Sequence, residues 1–193
     1  AHAKALQKCG VLSAAEVKEL LSAVVLLQKK EAAGSLRLDP LSEDVHSAIQ
    51  AQLKSIAGPA ADKIHTGRSR NDLVSQSSRL YVKDHLIRIK ALVSGLQKEL
   101  VAKAAQYQGL LLPGMTHLQP AQVLSQAHIF LAYTEMLERA KAQLELSIAA
   151  ADVCVLGSGA LAGTTYDLDQ KLIARELGLS RVTSNSYDVS GDR

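Results

Sequence analysis

Apolar residues recur at intervals of three and four along most of this chain, which is the spacing of amphipathic helices. Two helices are predicted near its start. The first follows the capping-box sequence Ser13-Ala14-Ala15-Glu16, runs to about Leu27 and is closed by Gly34. The second can be capped by Ser42 and is stopped by Gly58-Pro59. The apolar stripe of this second helix consists of Val45, Ala48, Ile49, Leu53 and Ile56.

Two much longer helices are predicted in the middle of the chain. One runs from Asn71 to about Ala105, and the other from about Pro120, a favourable residue for a first helical turn, to about Val153. A short extended link, Leu110–Gly114, joins them. At ~1.5 Å per residue the first helix spans on the order of 50 Å, which is long for a monomeric domain of this size. Because the apolar face of the second keeps nearly heptad spacing, we expect a helical bundle assembled between subunits.

The chain changes character after Gly157, where small residues dominate. A short helix is predicted near Asp167–Leu177, and Gly178 ends it. The remaining residues, Ser180–Arg193, are polar and predict a loop. The predicted fold class is therefore all-α.

Composition supports a helical core and excludes several classes of protein. Of the 193 residues 47% are apolar, but with one Phe and no Trp the core must consist of Leu, Ala, Val and Ile. A net charge of +3 without a clustered basic face argues against binding of nucleic acid. The longest apolar segment, Leu20–Leu27, is too short to cross a bilayer, and no signal peptide is visible. Cys9 and Cys154 belong to no paired motif, which favours two buried, reduced thiols and a cytoplasmic protein.

The densest polar chemistry of the chain lies in the stretch His65–Asp72. It places two guanidinium groups, two hydroxyls, an imidazole and an amide around Gly67, directly before a long helix. Arginine binds carboxylates through parallel hydrogen bonds, and the unpaired N–H groups at a helix start favour anions. The stretch therefore predicts a site for a small, multiply negative molecule. The alternative is a solvated basic loop in which Asn71 or Asp72 caps the helix.

A second polar stretch, Gly114–Pro120, carries Thr116, His117 and Gln119 on a turn that we expect directly before the second long helix. Imidazole can transfer protons near neutral pH. The alternative is a histidine that only bonds a backbone carbonyl. Because both polar stretches are predicted at the starts of long helices, neighbouring helix ends could bring them together.

A third stretch, Gly157–Gly163, matches the loose dinucleotide-binding pattern G-x-G-x-x-A, and Glu176 lies at about the right distance beyond it. This pattern is informative only between a strand and a helix. Here the preceding residues are predicted to end a long helix rather than a buried strand. A flexible or close-packed glycine loop is therefore the favoured interpretation.

Five stretches together resemble the argininosuccinate lyase family of the fumarase and aspartase superfamily, in that family's order and approximate spacing. They are Ser42–His46, His65–Asp72, Gly114–Gln119, Leu156–Thr164 and Asn185–Asp188, with Asp192-Arg193 continuing the last. The resemblance implies an all-α, long-helix bundle of the fumarase/aspartase type with a small helical N-terminal portion. Residues 1–66 would be part of an N-terminal helical domain, and residues 67–193 the first part of the central bundle domain. It also implies a homotetramer whose active sites are built from several subunits.

The resemblance further implies reversible cleavage of argininosuccinate to arginine and fumarate, a step of arginine biosynthesis and the urea cycle, without a metal or organic cofactor. The elimination places extra negative charge on a carboxylate, so prearranged donors should supply most of the rate. By similarity, His117 is the acid–base residue, while Asn71 and Thr116 hold the substrate. Residue type and position add Ser69, Arg70 and Gln119 as further substrate contacts.

The chain departs from the family pattern because nothing in it matches the family's mobile Ser-rich loop. That loop ends in Met-Pro-x-Lys-x-Asn and supplies a catalytic serine and a substrate-binding lysine. An N-terminal segment that contributes further contacts is also missing. We therefore expect the middle part of the enzyme, which would be inactive by itself. The alternatives are a non-catalytic relative of the crystallin type and a sister lyase that forms fumarate from another substrate.

Overall fold

The computed structural model describes residues 1–192, and these form eight helices and two small two-stranded sheets. The helices are α1 (His2–Lys8), α2 (Ala14–Ala32), α3 (Val45–Ala57), α4 (Ala60–Lys63), α5 (Arg70–Gln106), α6 (Gln126–Ala151), α7 (Gln170–Glu176) and α8 (Ser186–Gly191). The strands are β1 (Leu111–Thr116), β2 (Gln119–Ser125), β3 (Val153–Cys154) and β4 (Arg181–Val182). The mostly helical structure confirms the predicted class, and the sheets are additions that the apolar pattern did not predict.

The chain divides into two compact units. Residues 1–78 together with residues 153–192 belong to the first unit, and Arg79–Asp152 form the second. The predicted boundary between residues 66 and 67 concerns domains of the whole protein and stays a prediction. None of the helices in residues 1–192 combines the length and the apolar character needed to cross a membrane.

The apolar core of the first unit lies between its N-terminal helices. Helix α2 begins at the predicted capping box, in which the Ser13 hydroxyl accepts from the Glu16 N–H at 3.2 Å and the Glu16 carboxylate accepts from the Ser13 N–H at 2.8 Å. The cap of α3 is Asp44 rather than Ser42, because the Asp44 carboxylate reaches the Ser47 N–H at 2.7 Å. The core around these helices includes Leu6, Leu12, Leu20, Leu53 and Ala61.

The C-terminal part of the first unit is more ordered than the predicted polar loop. Strand β4 pairs in parallel with β3, and α8 follows, capped by Asn185, whose side chain accepts from the Tyr187 and Asp188 N–H groups. Val189 of α8 packs with Val153 and Val155 in a small apolar cluster. The prediction of a loop over residues 180–192 was therefore wrong, because a few buried valines suffice to fix this otherwise polar segment.

The second unit contains two antiparallel helical segments, residues 79–106 of α5 and the whole of α6. Polar pairs join them along their length: Lys83 with Asp152 at 2.6 Å, Lys90 with Glu145 at 2.6 Å, and Gln97 with Glu138 at 3.0 Å. Large apolar side chains remain exposed on both helices, with Leu92 73% and Leu146 74% exposed. Two helices alone thus leave large apolar side chains of both uncovered.

A β-hairpin replaces the predicted start of the second long helix. β1 and β2 pair antiparallel between Leu111 and Ser125, with an irregularity between Pro113 and Met115, and α6 begins only at Gln126. Pro120, which we placed in the first helical turn, lies in β2. Proline is tolerated there because every strand of a two-stranded hairpin is an edge strand.

Candidate active site

The Arg-rich stretch His65–Asp72 leads from α4 into α5 through a tight turn at Gly67. Gly67 has a φ of +66°, in the left-handed region that favours glycine. A Cβ here would lie 3.1 Å from Leu168 Cδ1 and 3.3 Å from Thr164 Oγ1. The turn therefore packs closely against the segment that follows the glycine loop.

Ser69 lies directly before α5 and is hydrogen-bonded to its first turn. Its hydroxyl accepts from the Asn71 N–H at 3.2 Å, and its own N–H donates to the Asp72 carboxylate at 2.9 Å. Ser69, rather than Asn71 or Asp72, thus precedes the helix, and its hydroxyl accepts from one amide of the first turn, that of Asn71. The Asn71 side chain is exposed, and its Nδ2 donates a long hydrogen bond of 3.5 Å to the carbonyl of Ala160.

Arg70 is tied to the start of α3. Its Nε pairs with the Asp44 carboxylate at 3.1 Å, and its Nη2 donates to the Ser47 hydroxyl at 2.8 Å. Two of the guanidinium donors are therefore engaged by the protein itself. Arg70 also joins the stretch Ser42–His46 to the stretch His65–Asp72.

The electrostatic environment of the Arg-rich stretch is positive. Burial, followed by the charges of Arg68 and Arg70, holds the pKa of His65 below its usual value. Burial also lowers the pKa of Arg68, whose Nε is buried without a hydrogen-bond partner among the described residues. A cationic group with an unsatisfied donor favours a neighbouring anion. The predicted anion site itself stays a prediction.

The glycine loop, residues 157–163, is bound to the start of α5. The Asp72 carboxylate accepts from the backbone N–H of Gly157 at 3.1 Å and from that of Gly159 at 2.9 Å. These amides, which would face a pyrophosphate in a dinucleotide-binding loop, face a carboxylate of the same chain. The interpretation as a close-packed glycine loop is thereby confirmed. A short buried strand, β3, does precede it, so the expectation that no strand lies there was wrong.

Four of the five stretches that carry the resemblance therefore meet in the first unit. Ser42–His46 and Leu156–Thr164 both contact His65–Asp72, through Arg70 and Asp72 respectively. Leu156–Thr164 and Asn185–Asp188 line one polar cavity of about 310 Å³, which Thr164, Tyr166 and Asn185 help to form. Stretches far apart in sequence thus share one region of the fold.

The fifth stretch forms the tip of the β1–β2 hairpin in the second unit. His117 and Leu118 form its two-residue turn with φ values of 51° and 61°, and Thr116 pairs with Gln119 across it. Left-handed conformations cost non-glycine residues about 1–2 kcal/mol each, and they are concentrated at functional sites. The imidazole of His117 is exposed at this tip.

The six predicted site residues are divided equally between the two units. Ser69, Arg70 and Asn71 lie together at the start of α5, in the first unit. Thr116, His117 and Gln119 lie together at the hairpin tip, in the second. The tip does not directly precede α6, which corrects the argument that both polar stretches begin long helices. That the two groups form one active site stays a prediction.

Sequence reasoning missed Asp72 as a residue that organises the site. The pattern Ser69-x-x-Asp72 is a recognisable signal, since Ser followed three residues later by an acidic residue marks a helix start. Its two glycine partners lie 85 and 87 residues further along and carry no such signal. No group of three or more His, Cys, Asp or Glu side chains in residues 1–192 is placed to hold a metal ion.

Comparison with known proteins assigns the family. A family model described as lyase matches residues 1–192. The chain belongs to this lyase family. It is 42% identical to an argininosuccinate lyase of Synechococcus sp. (strain JA-3-3Ab) over 193 residues, and 44% identical to one of Alteromonas mediterranea over 191 residues. The two matches include 100% and 98% of this chain but only 40% and 42% of the relatives. The chain therefore spans about two fifths of their length.

Solved structures of lyases share the fold. An EDDS lyase variant (D290M/Y320M) with bound fumarate matches with a TM-score of 0.86 and 29% identity, over 98% of this chain and 37% of that one. A Brucella melitensis protein described as fumarate lyase:delta crystallin matches with a TM-score of 0.81, over 98% of this chain and 46% of that one. At 17% identity the second likeness concerns the fold alone. Together they confirm the predicted fumarate-lyase type of helical fold.

Proposed function

We propose that the whole protein is an argininosuccinate lyase, which cleaves argininosuccinate to arginine and fumarate. The observation that carries the proposal is that four family-like stretches lie together in one unit, joined through Arg70, Asp72 and the cavity beside the glycine loop. The names of the relatives at 42% and 44% identity support the same substrate. We propose that the reaction uses no metal or organic cofactor.

The chemistry of the elimination explains why the site would need this composition. A base removes the proton from the carbon next to a carboxylate of the succinyl group, and the bond from the neighbouring carbon to the guanidinium nitrogen breaks. The electron pair of that bond leaves with the nitrogen, which takes up a proton as arginine forms. In between, negative charge accumulates on the carboxylate, so fixed donors stabilise the transition state more than the substrate.

In this proposal the polar stretches His65–Asp72 and Gly114–Pro120 have different roles in the reaction. His117 is the acid–base residue, and its exposure at the strained hairpin tip leaves the imidazole accessible to a bound substrate. Asn71 and Thr116 hold the substrate, and Ser69, Arg70 and Gln119 are further contacts. Because Arg70 already binds Asp44 and Ser47, its contribution would be a positive field and the placement of its neighbours.

We also propose that the whole protein is a cytoplasmic homotetramer that serves arginine biosynthesis. The apolar side chains left exposed on α5 and α6 support assembly through these helices, since stable subunit interfaces bury such surfaces. Predicted site residues that lie in two units of one chain fit an enzyme in which neighbouring subunits complete each other's sites.

The direct test is turnover by the whole protein. Purified protein is mixed with argininosuccinate, and the ultraviolet absorbance of fumarate is followed while arginine is measured separately. We expect both products in equal amounts. Absence of both, from a folded and correctly assembled protein, would exclude the proposed activity and favour the non-catalytic, crystallin-like alternative.

A sister lyase is the second candidate function, because the EDDS lyase variant shares the fold at 29% identity. EDDS, adenylosuccinate and malate are therefore assayed beside argininosuccinate. We expect kcat/KM to be highest for argininosuccinate. A higher value for any of the other three would identify the sister lyase instead.

A further inference from the structure

Asp72 is a buried carboxylate that connects two segments of the first unit. Only 2% of the residue is exposed. One carboxylate oxygen accepts from the Ser69 N–H at 2.9 Å, and the other accepts from the N–H groups of Gly157 at 3.1 Å and Gly159 at 2.9 Å. Three backbone donors thus converge on one side chain from two segments that are distant in sequence.

The three hydrogen bonds explain why a carboxylate occupies this position. Burying a charged carboxylate is unfavourable unless donors replace the lost water. Burial raises the pKa of Asp72, while the three N–H groups and Arg68 act in the opposite direction. An amide of the same shape would accept through one oxygen and would direct its own N–H groups towards a backbone donor. Asparagine therefore cannot reproduce the arrangement.

The same glycine loop also contacts Asn71, the neighbour of Asp72 in the first turn of α5. Asn71 Nδ2 donates to the Ala160 carbonyl at 3.5 Å. The loop is closely packed, since a Cβ on Gly159 would lie 2.5 Å from the Gly163 carbonyl oxygen. A closely packed loop thus binds the helix start at residue 72 and contacts the exposed amide at residue 71.

We propose that Asp72 is a positioning residue that fixes the first turn of α5 against the glycine loop and so sets where Asn71 meets the substrate. This inference rests on the proposed function, in which Asn71 is a substrate-binding residue. The bond to Ser69 would suffice to close the helix start. The two hydrogen bonds to Gly157 and Gly159 are not needed for that purpose. They are the bonds that hold the start of α5 against the glycine loop.

A double-mutant cycle in the whole protein separates positioning of Asn71 from general damage. Asp72→Asn, Asn71→Ala and the double variant are compared by kcat and KM for argininosuccinate and by the dissociation constant of fumarate. We expect Asp72→Asn to lower kcat/KM by ~100-fold, the cost typical of a displaced binding group. In the Asn71→Ala background, the same change should lower kcat/KM by less than ~3-fold, because residues that act as a unit are not additive.

Asp169→Asn is the matched control. Asp169 also accepts from a helix-start amide, that of Leu172 at 2.8 Å, but it pairs with Lys8 and makes no bond to the glycine loop. This variant should keep the wild-type kcat/KM within ~2-fold, as expected away from the site. If Asp72→Asn does not fold, Asp72→Glu is used in the same cycle, since it keeps the charge and moves the oxygens by one methylene.

The outcomes are distinguishable. If Asp72→Asn lowers kcat/KM by the same factor in the wild-type and in the Asn71→Ala background, the positioning role is overturned. An Asp72 variant with wild-type kcat/KM would overturn it as well. Failure of the wild-type protein to cleave argininosuccinate would instead refute the proposed function. In that case the dissociation constant of fumarate, which requires no turnover, is compared across the same four proteins. If the effects of the Asp72 and Asn71 substitutions on that constant are additive, the inference is overturned.

Discussion

At the scale of single residues, His117 and His2 lie in opposite environments. His117 is exposed at a hairpin tip with a left-handed backbone. His2 is only 6% exposed, and its Nε2 lies 3.0 Å from the Thr66 carbonyl oxygen. An exposed imidazole can exchange protons with a substrate, whereas a buried one affects stability. The two histidines therefore lead to different predictions.

The role of His117 predicts a loss of activity without a loss of folding. His117→Ala in the whole protein should lower the rate of fumarate release by ~100-fold or more, which is the usual contribution of a general acid or base. The measurement is steady-state turnover of argininosuccinate. His128→Ala is the control, because His128 is also exposed and in the second unit but lies outside the polar stretch. Normal turnover by His117→Ala would exclude the role.

Burial of His2 predicts a pH dependence of stability. Burial and the charge of Arg68 lower its pKa from 6.5 to about 4. Between these values the unfolded chain binds more protons than the native one, so this contribution is complete above pH ~6.5 and is lost as the pH falls towards ~4. The loss amounts to as much as about 3 kcal/mol. Urea unfolding of the wild type and of His2→Gln, which does not titrate, measures it as the difference between the two pH profiles.

Parallel pH profiles for the wild type and His2→Gln would contradict the burial of a neutral imidazole. Glutamine keeps a donor that can reach the Thr66 carbonyl, so the comparison changes the titration more than the hydrogen bond. As the pH falls from ~6.5 towards ~4, the free energy of unfolding of the wild type should fall by as much as about 3 kcal/mol relative to that of His2→Gln.

At the scale of elements, the sequence predicted the longer helices but not the short helices α1, α4 and α8, and it missed the hairpin for physical reasons. α5 was expected from Asn71 to about Ala105 and spans Arg70–Gln106, because its apolar spacing is uninterrupted. The hairpin turn consists of His117 and Leu118, although such turns normally carry Asn or Gly, so it has no sequence signature. Without such a signature, Pro120 is as compatible with the first turn of a helix as with a strand.

In the candidate site, too, contacts between residues close in sequence were predictable and contacts between distant residues were not. Ser69 and Asp72 lie three residues apart and form a recognisable helix start. The partners of Asp72 at Gly157 and Gly159 come from a segment that no local pattern connects to it. The sequence therefore predicted candidate site residues near residue 70 but not their connection to the glycine loop.

The close packing of the glycine loop predicts a position-dependent cost of alanine. Gly159 and Gly178 both have left-handed φ values, of 62° and 65°. A Cβ on Gly159 would lie 2.5 Å from the Gly163 carbonyl oxygen, whereas one on Gly178 meets nothing within 4 Å. Gly178→Ala should therefore cost about 1–2 kcal/mol for its backbone conformation alone. Gly159→Ala should cost about 1–3 kcal/mol more, because it also overlaps the backbone.

Chemical denaturation of the two glycine variants checks this difference. Equal free energies of unfolding would show that the loop opens freely and does not hold Asp72 rigidly. A larger loss for Gly178→Ala would contradict the packing of the glycine loop altogether.

At the scale of the whole molecule, exposed leucines on the long helices predict self-association. Leu146 of α6 is 74% exposed, while Leu41 is 91% exposed but lies in a turn before α3. Leu146→Lys should shift the whole protein from a tetramer towards smaller species, because a charge in an apolar interface is unfavourable. Leu41→Lys should leave the assembly unchanged. Light scattering after size-exclusion chromatography measures both masses, and a tetramer of unchanged stability in Leu146→Lys would contradict this interface.

The central claim is that the Arg-rich stretch and the hairpin tip bind one argininosuccinate molecule in the assembled enzyme. The most direct measurement is a crystal structure of the whole protein carrying His117→Ala, grown with argininosuccinate. We predict that Asn71 and Thr116 both lie within ~3 Å of carboxylate oxygens of the bound succinyl group, the distance of a hydrogen bond. A substrate bound with neither Asn71 nor Thr116 in contact would contradict the account.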